Sequence, residues 1–135
     1  MAYKIETIES IGPVTAGKLE KAGITTTEGL LEKAASKSGR KTVAEESGIS
    51  EGKILDFVNM ADMMRIKGVG GEFAELLKAS GVDTVKELRN RNAENLFEKM
   101  TSVNEEKKLT RRVPSASQLQ NFIDLAKDTE PMVTY

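Results

Sequence analysis

An internal repeat constrains this 135-residue chain more than any other feature of its sequence. When the sequence is shifted by 58 positions, the stretch 8–13 (IESIGP) aligns with the stretch 66–71 (IKGVGG). The small and apolar residues that follow also align: Ala16 with Ala74, Leu19 with Leu77, Gly23 with Gly81, Ile24 with Val82, and Leu30 with Leu88. A repeat of this length is typical of one supersecondary unit that occurs twice with a shared packing scheme.

A second alignment places the boundaries of the two repeats. The stretch 50–61 aligns with 115–126 at a shift of 65, so repeat two has seven additional residues, which we assign to the charged stretch 104–112. The expected organisation is repeat one over 1–62, repeat two over 63–129 and an extended tail over 130–135. Met60, Met63 and Met64 lie where the repeats join, and we expect them to fill the core there.

Apolar residues recur at helical spacing throughout both repeats. In the longest predicted helix, Ile54, Phe57, Val58 and Ala61 follow the i, i+3, i+4, i+7 pattern of one buried face. No segment shows the alternation of a half-buried strand. The sequence therefore predicts an all-α fold.

The composition excludes several classes of chemistry. The chain has no Cys and no His, so thiolate chemistry, imidazole general-base catalysis and zinc or haem sites built on these ligands are absent. A Ser-His-Asp triad is excluded for the same reason. We expect a protein that is not an enzyme and that has no cofactor and no metal site.

Neither a secretory nor a membrane segment is evident. No stretch approaches the ~18 apolar residues of a transmembrane helix, and the first residues lack a signal-peptide pattern. We therefore expect a cytoplasmic protein without a membrane partner.

The charge is balanced overall, and this weakens any interpretation as a generally basic nucleic-acid binder. Lys and Arg number 20 against 21 Asp and Glu, a net charge of −1. Four positive charges are nevertheless concentrated in the stretch 107–112: Lys107, Lys108, Arg111 and Arg112. Two interpretations of this stretch remain open, a solvated loop and an electrostatic clamp on phosphates.

The pattern Ile66-Lys67-Gly68-Val69-Gly70 predicts two helices joined by a very tight turn. Gly68 can adopt a positive φ, Val69 can fill the core, and Gly70 allows another backbone to approach closely. The next helix begins there, so its first amides are free to bind an anion such as a backbone phosphate. The alternative is a turn that serves helix packing alone.

Both copies of this turn, hairpin one (residues 8–13) and hairpin two (residues 66–71), resemble the helix-hairpin-helix motif. The stretch 11–19 (IGPVTAGKL) is similar to the hairpin of the small N-terminal domains of archaeal and eukaryotic RecA-type recombinases. The stretch 48–51 (GISE) stands where those domains have a second, weaker hairpin. Nearly the whole chain is similar to an uncharacterised bacterial family of two such repeats, a domain of unknown function. The resemblance implies tandem helix-hairpin-helix repeats, SAM-domain-like helical bundles packed into one compact unit.

This resemblance leads us to expect non-enzymatic, sequence-independent binding of double-stranded DNA through its phosphate backbone. The predicted contacts are Ile11, Gly12, Pro13, Thr15 and Lys18 around hairpin one, Arg65, Lys67, Gly68, Gly70 and Gly71 around hairpin two, and Lys107, Lys108, Arg111 and Arg112. Two departures weaken it: Ser10 replaces the first glycine of hairpin one, and Glu72 would repel a phosphate at hairpin two. The alternative function is protein–protein interaction or self-association by a module that keeps the fold without binding DNA.

Overall fold

A computed structural model describes residues 3–135 of the chain. This range contains eight α-helices, a short 3₁₀ helix at Ile5–Thr7 and no strand, so the predicted all-α fold is confirmed. A single β-bridge joins Lys4 to Thr26. The helices are α1 (Pro13–Lys21), α2 (Thr27–Ala34), α3 (Lys37–Ser47), α4 (Glu51–Met63), α5 (Gly71–Ala79), α6 (Val85–Arg89), α7 (Ala93–Lys107) and α8 (Ala116–Lys127).

The described chain divides into two compact units. Unit one comprises the residues up to Asp62 together with Met132–Tyr135, and unit two comprises Met63–Pro131. Within unit one, α3 packs against α1 and α2. Within unit two, α5 packs against α7, and α8 packs against both α6 and α7. The leucines that align between the repeats are fully buried: Leu19 with Leu77, and Leu30 with Leu88.

Most of the helices begin with a polar side chain that satisfies a first-turn amide. The capping residues are Thr26 for α2, Ser36 for α3, Ser50 for α4, Thr84 for α6, Asn92 for α7 and Ser115 for α8. At α8, Gln118 also reaches back to the Ser115 amide and completes a capping box. Helices α1 and α5 begin differently, directly after Gly12 and Gly70, and no side chain of residues 3–135 caps them.

Two helices differ from what the sequence indicates. The apolar spacing does not predict α3, because Arg40 stands on its buried face beside Val43. Helix α7 continues to Lys107, so the first part of the charged stretch 104–112 is helical rather than a loop. Lys108 then ends the helix in the left-handed conformation, at φ 51° and ψ 48°.

Candidate nucleic-acid interface

Hairpin two closes through a tight turn that requires glycine. The Val69 amide donates to the Ile66 carbonyl at 3.0 Å, and Val69 is fully buried. Gly68 has a φ of +96°, and a Cβ there would lie 2.8 Å from Cε1 of Phe122. The Phe122 ring is itself buried and lies 6.3 Å from the ring of Phe73, so it has little room to move away. Both backbone conformation and packing thus exclude a side chain at position 68.

Hairpin one closes through a turn of the same size without glycine at the aligned position. The Ile11 amide donates to the Ile8 carbonyl at 2.9 Å. Among residues 3–135, Lys108 is the one non-glycine residue with a positive φ, so Ser10 keeps an ordinary backbone conformation. The two turns therefore differ in backbone conformation but lead into their helices alike.

The glycine immediately before each hairpin helix is not required by the fold. Gly12 has φ −90° and ψ −176°, and Gly70 has φ −95° and ψ −171°, which is extended backbone that any residue adopts. A Cβ at either position would meet no atom of the described chain within 4 Å. The first-turn amides of α1 and α5, which carry the positive end of the helix dipole, thus open onto free space.

The first turns of the two hairpin helices differ in charge. At hairpin two, a shallow depression of about 260 Å³ is lined by Gly68, Gly70, Gly71, Glu72 and Phe73. The exposed Glu72 places a carboxylate at this depression. At hairpin one the aligned residue is Val14, whose side chain is 74% exposed, and the first turn of α1 contains no acidic residue.

The predicted contact residues differ in how much of each a ligand could reach. Gly12, Pro13, Lys18, Lys67 and Gly68 are exposed, and Thr15 and Gly70 are half-buried. Ile11 is only 3% exposed and Gly71 is also buried. Ile11 thus serves the core of unit one, and its amide already donates to the Ile8 carbonyl.

Arg65 has a role that the sequence does not indicate. Its side chain is half-buried, and Nη1 donates to the carbonyl oxygen of Glu130 at 3.0 Å. This guanidinium therefore holds the segment that follows α8.

The basic residues Lys107, Lys108, Arg111 and Arg112 are all exposed. Lys107 ends α7, and the other three lie in the loop that follows it. The side chain of Asn104, which no sequence motif singles out, orders this loop. Its Nδ2 donates to the Thr110 carbonyl and its Oδ1 accepts from the Thr110 amide, both at 3.0 Å. Thr110 Oγ1 in turn donates to the Arg112 carbonyl at 2.7 Å. One feature of the sequence could have indicated this contact: Asn104 is a poor helix former, yet it lies inside the last turn of a helix.

Residues 3–135 contain no group of three or more acidic side chains placed to hold a metal ion. Nor does any helix there have the length and apolar character needed to span a membrane.

Comparison with known proteins and families identifies the family of the chain. No curated protein and no solved structure matches the chain. Residues 9–129 match the family described as "Domain of unknown function (DUF4332)". This range includes hairpin one except for Ile8, hairpin two, the Asn104 loop and the eight α-helices of the described chain. Because the match spans most of the sequence, the chain belongs to this family of uncharacterised domains.

Proposed function

We propose that both units are helix-hairpin-helix repeats and that the chain binds nucleic acid through backbone phosphates without reading its sequence. One observation carries the proposal. Within residues 3–135, α1 and α5 are the α-helices that begin at a glycine without a side-chain cap, and each follows a tight turn. They are equal in length and start 58 residues apart, at Pro13 and Gly71.

Uncapped amides of this kind suit a phosphate oxygen. The backbone N–H groups at a helix start point outwards, and the helix dipole favours an anion in front of them. Because positions 12 and 70 are glycine, no Cβ blocks the approach to these amides. No other part of the described fold fills the space that a Cβ would take at either position. Phosphates are the same at every nucleotide, so such contacts position a protein on nucleic acid without specifying a sequence.

The exposed basic residues add long-range attraction. Lys18 lies one turn into α1, and Lys67 lies within hairpin two. Four more positive charges lie at the end of α7, on Lys107, and in the loop held by Asn104, on Lys108, Arg111 and Arg112. Each phosphate that they neutralise on a duplex contributes about −0.9 to the slope of log affinity against log salt. Charges of both signs elsewhere keep the whole chain near neutrality, so we expect modest affinity that falls steeply with salt.

The second candidate function is protein–protein interaction or self-association. Glu72 favours it, because this carboxylate stands beside the amides of hairpin two and would repel a phosphate. The exposed Val14 also favours it, since an apolar side chain at the tip of hairpin one suits a protein surface. A molar mass that rises with concentration in light scattering, together with no DNA binding, would support this candidate.

Fluorescence anisotropy with labelled duplex and single-stranded DNA tests the first candidate. At low salt we expect a dissociation constant on the order of micromolar, rising steeply with salt. The informative variants are Gly12→Ser and Gly70→Ser. A serine at the N-cap accepts from a first-turn amide, so each change should stabilise the protein by about 0.5 kcal/mol while it occupies the phosphate site.

Stability and affinity should therefore move in opposite directions. In each single variant we expect affinity for DNA to fall about tenfold, the loss of one charge-assisted hydrogen bond, and in the double variant about a hundredfold. Gly17→Ser is the matched control, because Gly17 is an exposed glycine inside α1 with open space around it. It should also stabilise slightly and leave binding unchanged. Binding that is absent at low salt, or unaffected by the two N-cap changes, would contradict the proposal.

A further inference from the structure

We propose that Met132–Tyr135, the strap, fastens unit one, so that the stability of unit one depends on residues that follow unit two in the sequence. The strap pairs with unit one through its backbone. The Thr134 amide donates to the Ala35 carbonyl at 2.9 Å, and the Thr134 carbonyl accepts from Nη2 of Arg40 at 2.7 Å. Between these polar contacts the side chain of Val133 is only 7% exposed.

The strap completes the environment of a buried charge. Arg40 is 4% exposed, and its Nη1 donates to the carbonyls of Ala34 at 3.1 Å and Ala35 at 2.8 Å. Those carbonyls lie at the end of α2, where helix C-termini favour a cation. The strap adds the Thr134 carbonyl as an acceptor, and the Tyr135 ring lies 5.9 Å from the guanidinium. Without the strap, a buried guanidinium would lose an acceptor and an aromatic face, which is strongly unfavourable.

The strap is also tied to α4 at both of its ends. The Met132 amide donates to Oδ2 of Asp62 at 3.3 Å, and the Tyr135 hydroxyl donates to Oδ1 of Asn59 at 2.8 Å. Asn59 and Asp62 lie one helical turn apart on α4 and are themselves largely buried. The strap thus joins the end of α2, the Arg40 side chain of α3 and the second half of α4.

Unit two holds the residues that immediately precede the strap. Nη2 of Arg89 donates to the Thr129 carbonyl at 2.7 Å, and Arg65 donates to the Glu130 carbonyl at 3.0 Å. Pro131 alone separates these residues from the strap. Side chains of unit two thus hold the segment that ends at Glu130, and Pro131 joins this segment to the strap.

Hydrogen exchange of two aligned amides tests this proposal in the full chain. The Ile24 amide of unit one donates to Leu19 at 3.0 Å, and the Val82 amide of unit two donates to Leu77 at 2.8 Å. Val133→Lys places a charge at a buried position, and Met132→Lys is the matched control because Met132 is 40% exposed. We expect Val133→Lys to lower protection at Ile24 at least about tenfold, from the lost burial of one valine, with no change at Val82.

Two results would overturn the proposal: unchanged protection at Ile24, or an equal loss at Ile24 and Val82, which would mean that the strap does not act on unit one in particular. If Val133→Lys does not fold, the Tyr135→Phe variant tests the proposal instead. It removes the hydrogen bond to Asn59 and keeps the ring over Arg40, so protection at Ile24 should fall about two- to tenfold, again without change at Val82. If Tyr135→Phe leaves the protection of the Ile24 amide unchanged, or lowers protection equally at Val82, the proposal that the strap fastens unit one is wrong.

Discussion

Hairpin one and hairpin two lead into helices of equal length through turns of equal size, yet they do so with different residues. In hairpin two, Gly68 adopts a positive φ against the ring of Phe122, whereas Ser10 holds the aligned position in hairpin one with ordinary backbone. Both hairpins have glycine just before the helix, at Gly12 and Gly70, where nothing in the fold calls for it. Packing thus requires glycine at position 68 of hairpin two, where hairpin one has Ser10. Packing does not require glycine just before the helix, yet both hairpins have one there, Gly12 and Gly70. This pattern is easiest to explain if the shared glycines face a ligand.

The largest difference between the hairpins should appear in stability. Gly68→Ala forces a side chain into left-handed backbone and against a buried ring, and we expect a loss of about 2–4 kcal/mol in the free energy of unfolding. Ser10→Ala changes an exposed residue with ordinary backbone and should stay within about 0.5 kcal/mol of the parent. Urea unfolding measures both.

A double variant separates the two causes at position 68. Phe122→Leu removes the ring atoms that the new Cβ would meet, so Gly68→Ala should cost less in that background than in the parent. The cost that remains reports the backbone conformation alone. Equal losses in the free energy of unfolding for Gly68→Ala and Ser10→Ala would mean that hairpin two does not need glycine at position 68 any more than hairpin one needs it at position 10.

The second difference lies in the segment between the last two helices of each unit. Unit one passes from α3 to α4 through residues 48–50, whereas unit two has the basic loop that Asn104 holds. Asn104→Ala removes both hydrogen bonds to Thr110 and should destabilise unit two by about 1–2 kcal/mol, with faster hydrogen exchange at the Thr110 amide. An unchanged exchange rate at Thr110 would show that Asn104 does not order the loop.

The same loop can be tested for phosphate contact. Changing Lys107, Lys108, Arg111 and Arg112 to Gln leaves the Asn104 hydrogen bonds in place. If all four reach duplex phosphates, the salt slope of DNA binding should become shallower by about 3–4. An unchanged slope would mean that these four residues do not contact DNA phosphates, and only the hairpins would remain in the proposed interface.

The sequence predicts the fold better than it predicts how the fold is held together. The helices with regular apolar spacing and the positive φ of Gly68 follow from local pattern and turn chemistry. Helix α3 does not, because its core position is Arg40, and the carbonyl at Thr134 that makes this position tolerable is 94 residues away. The pairing of Arg65 with Glu130, 65 residues away, escapes the sequence for the same reason. The sequence indicates that a buried polar residue needs a hydrogen-bond partner, but only the tertiary structure shows which residue that partner is.

The smallest expected effect is also the most direct comparison of the two hairpins as phosphate sites, because Val14 and Glu72 occupy aligned positions in the first turns of α1 and α5. Val14→Glu gives hairpin one the carboxylate of hairpin two, and Glu72→Val removes it. A carboxylate near open first-turn amides competes with an anion, and a charge there alters binding by about 0.5–1 kcal/mol. We therefore expect Val14→Glu to weaken DNA binding about two- to fivefold at low salt and Glu72→Val to strengthen it by a similar factor. A first-turn carboxylate also favours the helix dipole, so urea unfolding should show Val14→Glu more stable and Glu72→Val less stable, each by about 0.3–1 kcal/mol and opposite in direction to the change in affinity. If affinity responds to Val14→Glu but not to Glu72→Val, hairpin one alone is a phosphate site and hairpin two is a structural turn; if neither variant changes affinity, the amides of both hairpins lie outside any DNA interface.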